Sequence, residues 1–178
     1  AGRTVTINGM SKAFAMTGWR VGYAAAPGEF GLRLIKAIDA LQGQMTSCIA
    51  SFVYPAIRAA LTSAADDVER FRCAFERRAR LIYERASVIP GISCVRPTGA
   101  FYLFPDVSTH FGRTSARGRT ISSSIEFGSA LLDEALMATV PGEEFGGCGR
   151  NHIRISFACS EEQIERGMDR LNTIDCFN

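Results

Sequence analysis

Lysine is almost missing from this sequence: eighteen of its basic residues are Arg, and only Lys12 and Lys36 carry a primary amine. Arg stays protonated in a protein, whereas a desolvated Lys can become a neutral nucleophile. Where Arg supplies nearly all fixed positive charge, a retained Lys points to amine chemistry, although codon bias would leave the same picture. Net charge is also scarce. A value of +2 gives no electrostatic case for nucleic acid or an anionic membrane as partner. No apolar run approaches the roughly 18 residues that a membrane-spanning helix requires. The opening AGRTVTINGMSK lacks the basic-then-apolar layout of a secretory signal. It also lacks an initiator Met, as expected of a segment taken from a longer polypeptide. Cys48, Cys73, Cys94, Cys148, Cys159 and Cys176 include no CxxC pair, and no His completes a zinc pattern. They read as small thiols of a reducing compartment, so the cytoplasm is the expected location and no metal is expected.

What is present is globular usage, with 47% apolar and 21% charged residues in a chain of 178. That length can bury a sizeable core. Residues 4–8 alternate and are β-branched, which predicts a strand. A Gly-, Ser- and Thr-containing loop follows over 9–20, then a short apolar strand over 21–26. Leu34, Ile35, Ile38 and Leu41 recur at helical spacing and predict a helix over 29–42. Two more are expected over 47–62 and 64–86. The last carries Arg70, Arg72, Arg77, Arg78, Arg80 and Arg85, which a nucleic-acid stripe would require. Glu69, Glu76 and Glu84 are interleaved, with Glu76 and Arg80 at i,i+4 spacing, which describes a solvated face. Beyond Pro90-Gly91 the pattern becomes short strands, expected over 92–96, 100–106, 137–141 and 152–157. Helices are expected over 123–135 and 160–174, the second opened by a Ser160/Gln163 capping box. The polar, Gly-rich stretch 108–122 reads as a surface loop. A boundary near residue 90 separates a helical first part from an α/β second part.

Chemistry concentrates between Asn8 and Tyr23. Gly9-Met10-Ser11-Lys12 followed by Gly18-Trp19-Arg20-Val21-Gly22 resembles the pyridoxal-phosphate (PLP) attachment signature of class I aminotransferases. The physical sense of the spacing stands apart from the family. PLP needs an amine for its aldehyde and carries a phosphate dianion at its other end. A loop that doubles back can aim Lys12 at the one and Arg20 at the other, Arg gripping phosphate through a bidentate fork. Ser11 would add a hydroxyl donor to the phosphate; many relatives place that Ser three residues before the Lys, where this sequence has Gly9. Gly18 and Gly22 would permit close backbone approach.

Three later motifs follow in the family's order. Asn151-His152-Ile153-Arg154-Ile155-Ser156-Phe157-Ala158 resembles its late strand, whose Arg binds the substrate α-carboxylate. Alternation puts His152, Arg154 and Ser156 on one face. A charge in an apolar strand needs an anionic partner: either substrate, as the resemblance implies, or an Asp or Glu at the sheet edge. His152 reads as an ordinary strand residue. Thr98-Gly99-Ala100-Phe101-Tyr102-Leu103-Phe104 resembles the family's Gly-Ala-Phe-Tyr strand, with Phe101 and Tyr102 read as core. Val140-Pro141-Gly142-Glu143-Glu144-Phe145-Gly146 resembles the loop that overhangs substrate, which makes Phe145 a substrate contact.

The resemblance implies an α/β fold: the end of the PLP-dependent transferase large domain and its linking helix over 1–89, then the small C-terminal α/β domain over 90–178. It implies a PLP-dependent aminotransferase of amino-acid metabolism, acting on amino-acid and 2-oxo-acid substrates. Lys12 would be both tether and general acid/base. It also implies a homodimer, with residues near Gln44 to Ser47 close to the neighbouring subunit's cofactor. The stretch from Leu41 to Ser47 lacks the Arg that animal-type aspartate enzymes place there, so aspartate, aromatic and alanine specificities stay open. The family's ring-binding Asp, Asn, Tyr and stacked aromatic come from sequence ahead of residue 1, so the 178 residues alone are expected to be a poor or inactive transaminase. Two other readings share the motifs: another enzyme of this fold, such as a β-lyase, and the aminotransferase-like effector domain of a transcription regulator.

Overall fold

The computed structural model describes residues 4–173. It divides into two compact units, residues 1–72 and 73–178. The division falls within a helix whose later turns supply Ile82 and Ala86 to the second unit's core.

In the first unit, β1 (Thr6–Gly9) and β2 (Gly22–Ala25) pair antiparallel, with Thr6 opposite Ala25 and Gly9 opposite Gly22. A Cβ on Gly22 would lie 2.7 Å from the Asn8 carbonyl oxygen, so this pairing requires a glycine there. Gly18, by contrast, faces open space. Helix α1 (Gly28–Met45) follows at once, and its Gly31 meets the Ala26 backbone so closely that a side chain would not fit. Helix α2 (Val53–Ser63) starts later than the apolar pattern indicates. Ser47 takes a left-handed conformation (φ 64°), and turns donate from Val53 N to Ala50 O and from Tyr54 N to Ser51 O. Helix α3 (Ala65–Ala86) then runs into the second unit. Its face is solvated as expected: Arg72 pairs with Glu69 at 2.8 Å, and Arg70 with Asp67.

The second unit is a three-stranded antiparallel sheet ordered β3 (Tyr102–Leu103), β5 (Ile153–Ser156), β4 (Val140–Pro141), with helices α4 (Ser124–Ala135) and α5 (Glu161–Asn172). The strands are shorter than their sequence patterns. Ala100 is left-handed (φ 55°) at one end of β3 and Pro105 lacks an N–H beyond the other. The stretch 92–96 is reduced to one bridge, in which Ser93 and Asp106 exchange backbone hydrogen bonds. The stretch 108–122 is more than a surface loop. A Thr114–Thr120 bridge closes it, His110 and Ser115 are buried, and Ile121 joins the core. The Ser160/Gln163 capping box is present. It starts a helix whose Ile164, Met168 and Leu171 enter the core with Phe127, Leu131, Ile153 and Phe157. Each such burial is worth about 1.5–3 kcal/mol. Arg77 to Glu161 (3.6 Å) and Arg85 to Glu165 (3.2 Å) join α3 to α5, and such exposed pairs add about 0–1 kcal/mol each.

No helix among the described residues is long and apolar enough to cross a membrane. None of their His, Cys, Asp and Glu side chains cluster in a way that could hold a metal ion.

Candidate active site

The candidate residues sit in two places, one in each unit. In the first, residues 10–21 form a loop that closes on itself. Met10 N donates to Val21 O at 3.1 Å, directly beyond the Gly9–Gly22 pair. Inside it, Thr17 Oγ1 donates to Ser11 O (2.9 Å), Ala15 N to Lys12 O (3.2 Å) and Trp19 N to Met16 O (3.2 Å). Met10, Met16 and Val21 point inward and pack with Val53. The sequence thus alternates buried anchors with outward polar groups, and those groups include Lys12 and Arg20.

Arg20 is itself left-handed (φ 55°), as is Ala15 (φ 53°). Each such non-glycine residue costs on the order of 1 kcal/mol, and the surrounding hydrogen bonds hold it there. The Arg20 guanidinium donates from Nη1 to Thr17 O at 3.0 Å. It borders a cavity of about 570 Å³ lined also by Ala15, Gly18, Trp19, Phe52 and Val53. Lys12 is exposed on the same loop and does not line that cavity. Ser11 is half-buried, and its hydroxyl makes no hydrogen bond among the described residues.

In the second unit, Arg154 lies on the central strand, between β3 and β4, with Val140 its direct opposite on β4. It is half-buried while Ile153 and Ile155 face the core, so the alternation read from the sequence holds. Its guanidinium is clamped between two rings. Tyr102 lies 4.4 Å from it and Phe145 lies 4.6 Å from it, measured to the ring centroids. No carboxylate among the described residues pairs with Arg154, so the sheet-edge ion pair is not its structural role. Rings over a guanidinium gain a cation–π interaction and leave its N–H edge open. Tyr102 therefore belongs to the site, where the sequence reading placed it in the core; Phe101 does pack against the core.

Two further residues back this clamp and were not singled out from sequence. Phe104 meets Phe145 edge-on (5.9 Å, 82°) and stacks on His152 (4.8 Å, 10°). A period of two would have found them, since Phe104 shares a face with Tyr102 and His152 with Arg154. Nearby Asp106 bridges to His152. Burial pushes its carboxyl up, but hydrogen bonds from Ser108 Oγ (2.6 Å) and Ser108 N (2.8 Å), with the charge of His152, hold it below the usual carboxylate range. The loop bearing Phe145 is pinned at its base by a close crossing of Gly142 and Gly149. A Cβ on either would come within 2.1 Å of the other's carbonyl oxygen.

One unit thus carries a closed loop bearing an amine and a guanidinium, and the other a strand that presents an Arg with no acid partner among the described residues. The model of aminotransferase class I and II matches residues 1–171, and the chain belongs to that family. It is 43% identical over 169 residues to a probable aspartate/prephenate aminotransferase of Rhizobium leguminosarum bv. phaseoli, covering 95% of this chain and 41% of that protein. Identity with an aspartate aminotransferase of Geobacillus stearothermophilus is 42%, over 96% of this chain and 40% of the relative. Its fold matches the crystal structure of the aspartate aminotransferase from Rhizobium meliloti with a TM-score of 0.91 and 37% identity, covering 99% of this chain and 43% of that one. The chain thus spans about two fifths of the length of these relatives.

Proposed function

We propose that this chain forms the cofactor-anchoring and carboxylate-binding part of a PLP-dependent aminotransferase that moves an amino group between an amino acid and a 2-oxo acid. The closed loop of residues 10–21 carries this reading. It presents the amine of Lys12 and the guanidinium of Arg20 from one strained backbone turn. The residues present suit PLP. The donor set is a primary amine for an aldehyde, with a guanidinium and the Ser11 hydroxyl for a phosphate, and Arg20 borders a cavity. When bound, the cofactor supplies an electron sink for the bonds broken at the substrate Cα.

Lys12 would hold the cofactor through its amine, and the same amine, when free, would take and return the proton of the substrate Cα. Arg20 grips the phosphate. Arg154 takes the substrate carboxylate through its open edge, while Tyr102 and Phe145 keep water from its faces. The substrate belongs to the aspartate, aromatic or alanine class, and aspartate stands in the relatives' names. In the same reading, residues 1–89 close the large domain with its linking helix, residues 90–178 are the small domain, and the protein works as a homodimer. Exposed Met45, within the segment that the resemblance puts at the neighbouring subunit, and Phe52 beyond it support the dimer. The thiols of Cys48, Cys94, Cys148 and Cys159 are unbridged, which suits the cytoplasm.

The test is to incubate the complete polypeptide carrying these residues with candidate amino acids and 2-oxoglutarate. A new amino acid is the expected product; release of ammonia and pyruvate would assign a β-lyase instead. The 178 residues alone are expected to turn over poorly beside that polypeptide, and comparable rates would contradict the division of labour proposed here.

A further inference from the structure

Behind the rings that clamp Arg154 lies a second layer. Phe145 leans edge-on against Phe104, and Phe104 lies almost parallel to the His152 imidazole, 4.8 Å away. The His152 backbone also holds both ends of the loop that carries Phe145. Gly142 N donates to His152 O at 2.8 Å, and His152 N donates to Gly149 O at 2.8 Å. The ring's Nδ1 is buried without a hydrogen-bond partner. An unmet buried ring nitrogen is a cost. The flat face of the ring is what bears on Phe104. One residue thus supports Phe145 twice, through its backbone at the loop base and through its ring by way of Phe104.

A guanidinium binds a carboxylate with two parallel hydrogen bonds only when its plane is correctly turned. Tyr102 fixes one side of that plane and Phe145 the other. If Phe145 tilts, Arg154 gains rotamers and binding loses its preorganisation. We infer that His152 is a positioning residue for carboxylate binding: through Phe104 and Phe145 it keeps the Arg154 guanidinium oriented with its edge open. The inference rests on the role proposed above for Arg154, and it assigns His152 a task that an aromatic ring, charged or not, can perform.

The experiment measures the dissociation constant of succinate, a non-reactive dicarboxylate, on the holoenzyme by calorimetry, alongside KM and kcat. An aromatic contact of this kind is worth about 0.5–1.5 kcal/mol, so His152→Ala is expected to weaken succinate binding and raise the amino-acid KM by about two- to tenfold. The kcat at saturating substrate should stay within about twofold, since no reacting group is touched. His152→Phe should restore both values. Succinate binding unchanged in His152→Ala, or no rescue by His152→Phe, would overturn the inference. Should His152→Ala fail to fold, Phe104→Leu at the more exposed neighbouring ring carries the test: the same weakening supports the inference, and unchanged binding overturns it. Arg154→Ala separates the two levels. Loss of succinate binding there with normal binding in His152→Ala removes only the positioning role. Normal binding in Arg154→Ala removes the carboxylate site itself, and the inference with it.

Discussion

In the second unit Phe127, Leu103 and Phe157 are sealed from solvent, while in the first Ile7, Phe52 and Met45 stand 80%, 75% and 70% exposed. The first unit's buried cluster consists of Met10, Met16, Val21 and Val53, three of them within the loop that bears Lys12 and Arg20. The second unit's core draws on two strands, three helices and the segments between them. The two units therefore differ in how much of their apolar surface they bury. One unit carries a closed core beneath the strand that holds Arg154. The other carries the strained loop of Lys12 and Arg20 on a narrow base, with apolar surface that the described residues do not cover.

Substitutions can break or sharpen that contrast. Phe127→Ala should cost about 3–5 kcal/mol in a urea unfolding experiment, because the vacated space lies deep in the core. Met45→Ala, at an exposed position, should change the same measurement by less than about 0.5 kcal/mol in the 178-residue chain. A loss of several kcal/mol from Met45→Ala would show that the first unit's apolar surface is covered after all. Between these extremes, Ser160→Ala removes the hydroxyl that accepts from Gln163 N (3.2 Å) and should cost about 1 kcal/mol of thermal or urea stability. A further effect concerns acid. The Asp106 carboxyl is held below its ordinary range when folded, so its contribution is complete above the unfolded pKa of about 4. That contribution is lost as pH falls through the folded value. Asp106→Asn should therefore flatten the loss of stability on acidification, as followed by circular dichroism between about pH 5 and 2.

Much of this was legible in the sequence because it is local. Ser160 and Gln163 specify a capped helix within one turn. The alternation around Arg154 orients that side chain whatever its neighbours are. The spacing of Lys12 and Arg20 describes a loop that doubles back, and the Met10–Val21 hydrogen bond closes it. What escaped depends on pairing across the chain. Tyr102 looked like core because an aromatic in a strand usually is; it becomes a clamp only once β3 lies beside β5. Strand alternation puts His152 on the face of Arg154, but its stacking on Phe104 had no local signal, since that ring comes from another segment. The start of α2 was misplaced for a backbone reason, the left-handed Ser47, which apolar periodicity does not register.

The most direct test of the account exploits the shortage of lysine. Holoenzyme reduced with borohydride, which fixes an aldehyde cofactor to the amine that holds it, is digested and mapped by mass spectrometry. Only Lys12 and Lys36 can carry the adduct on a side chain of this segment. The account predicts PLP on the peptide containing Lys12 and loss of the adduct in Lys12→Arg. An adduct on Lys36, or none on this segment while the protein retains its cofactor, would contradict it.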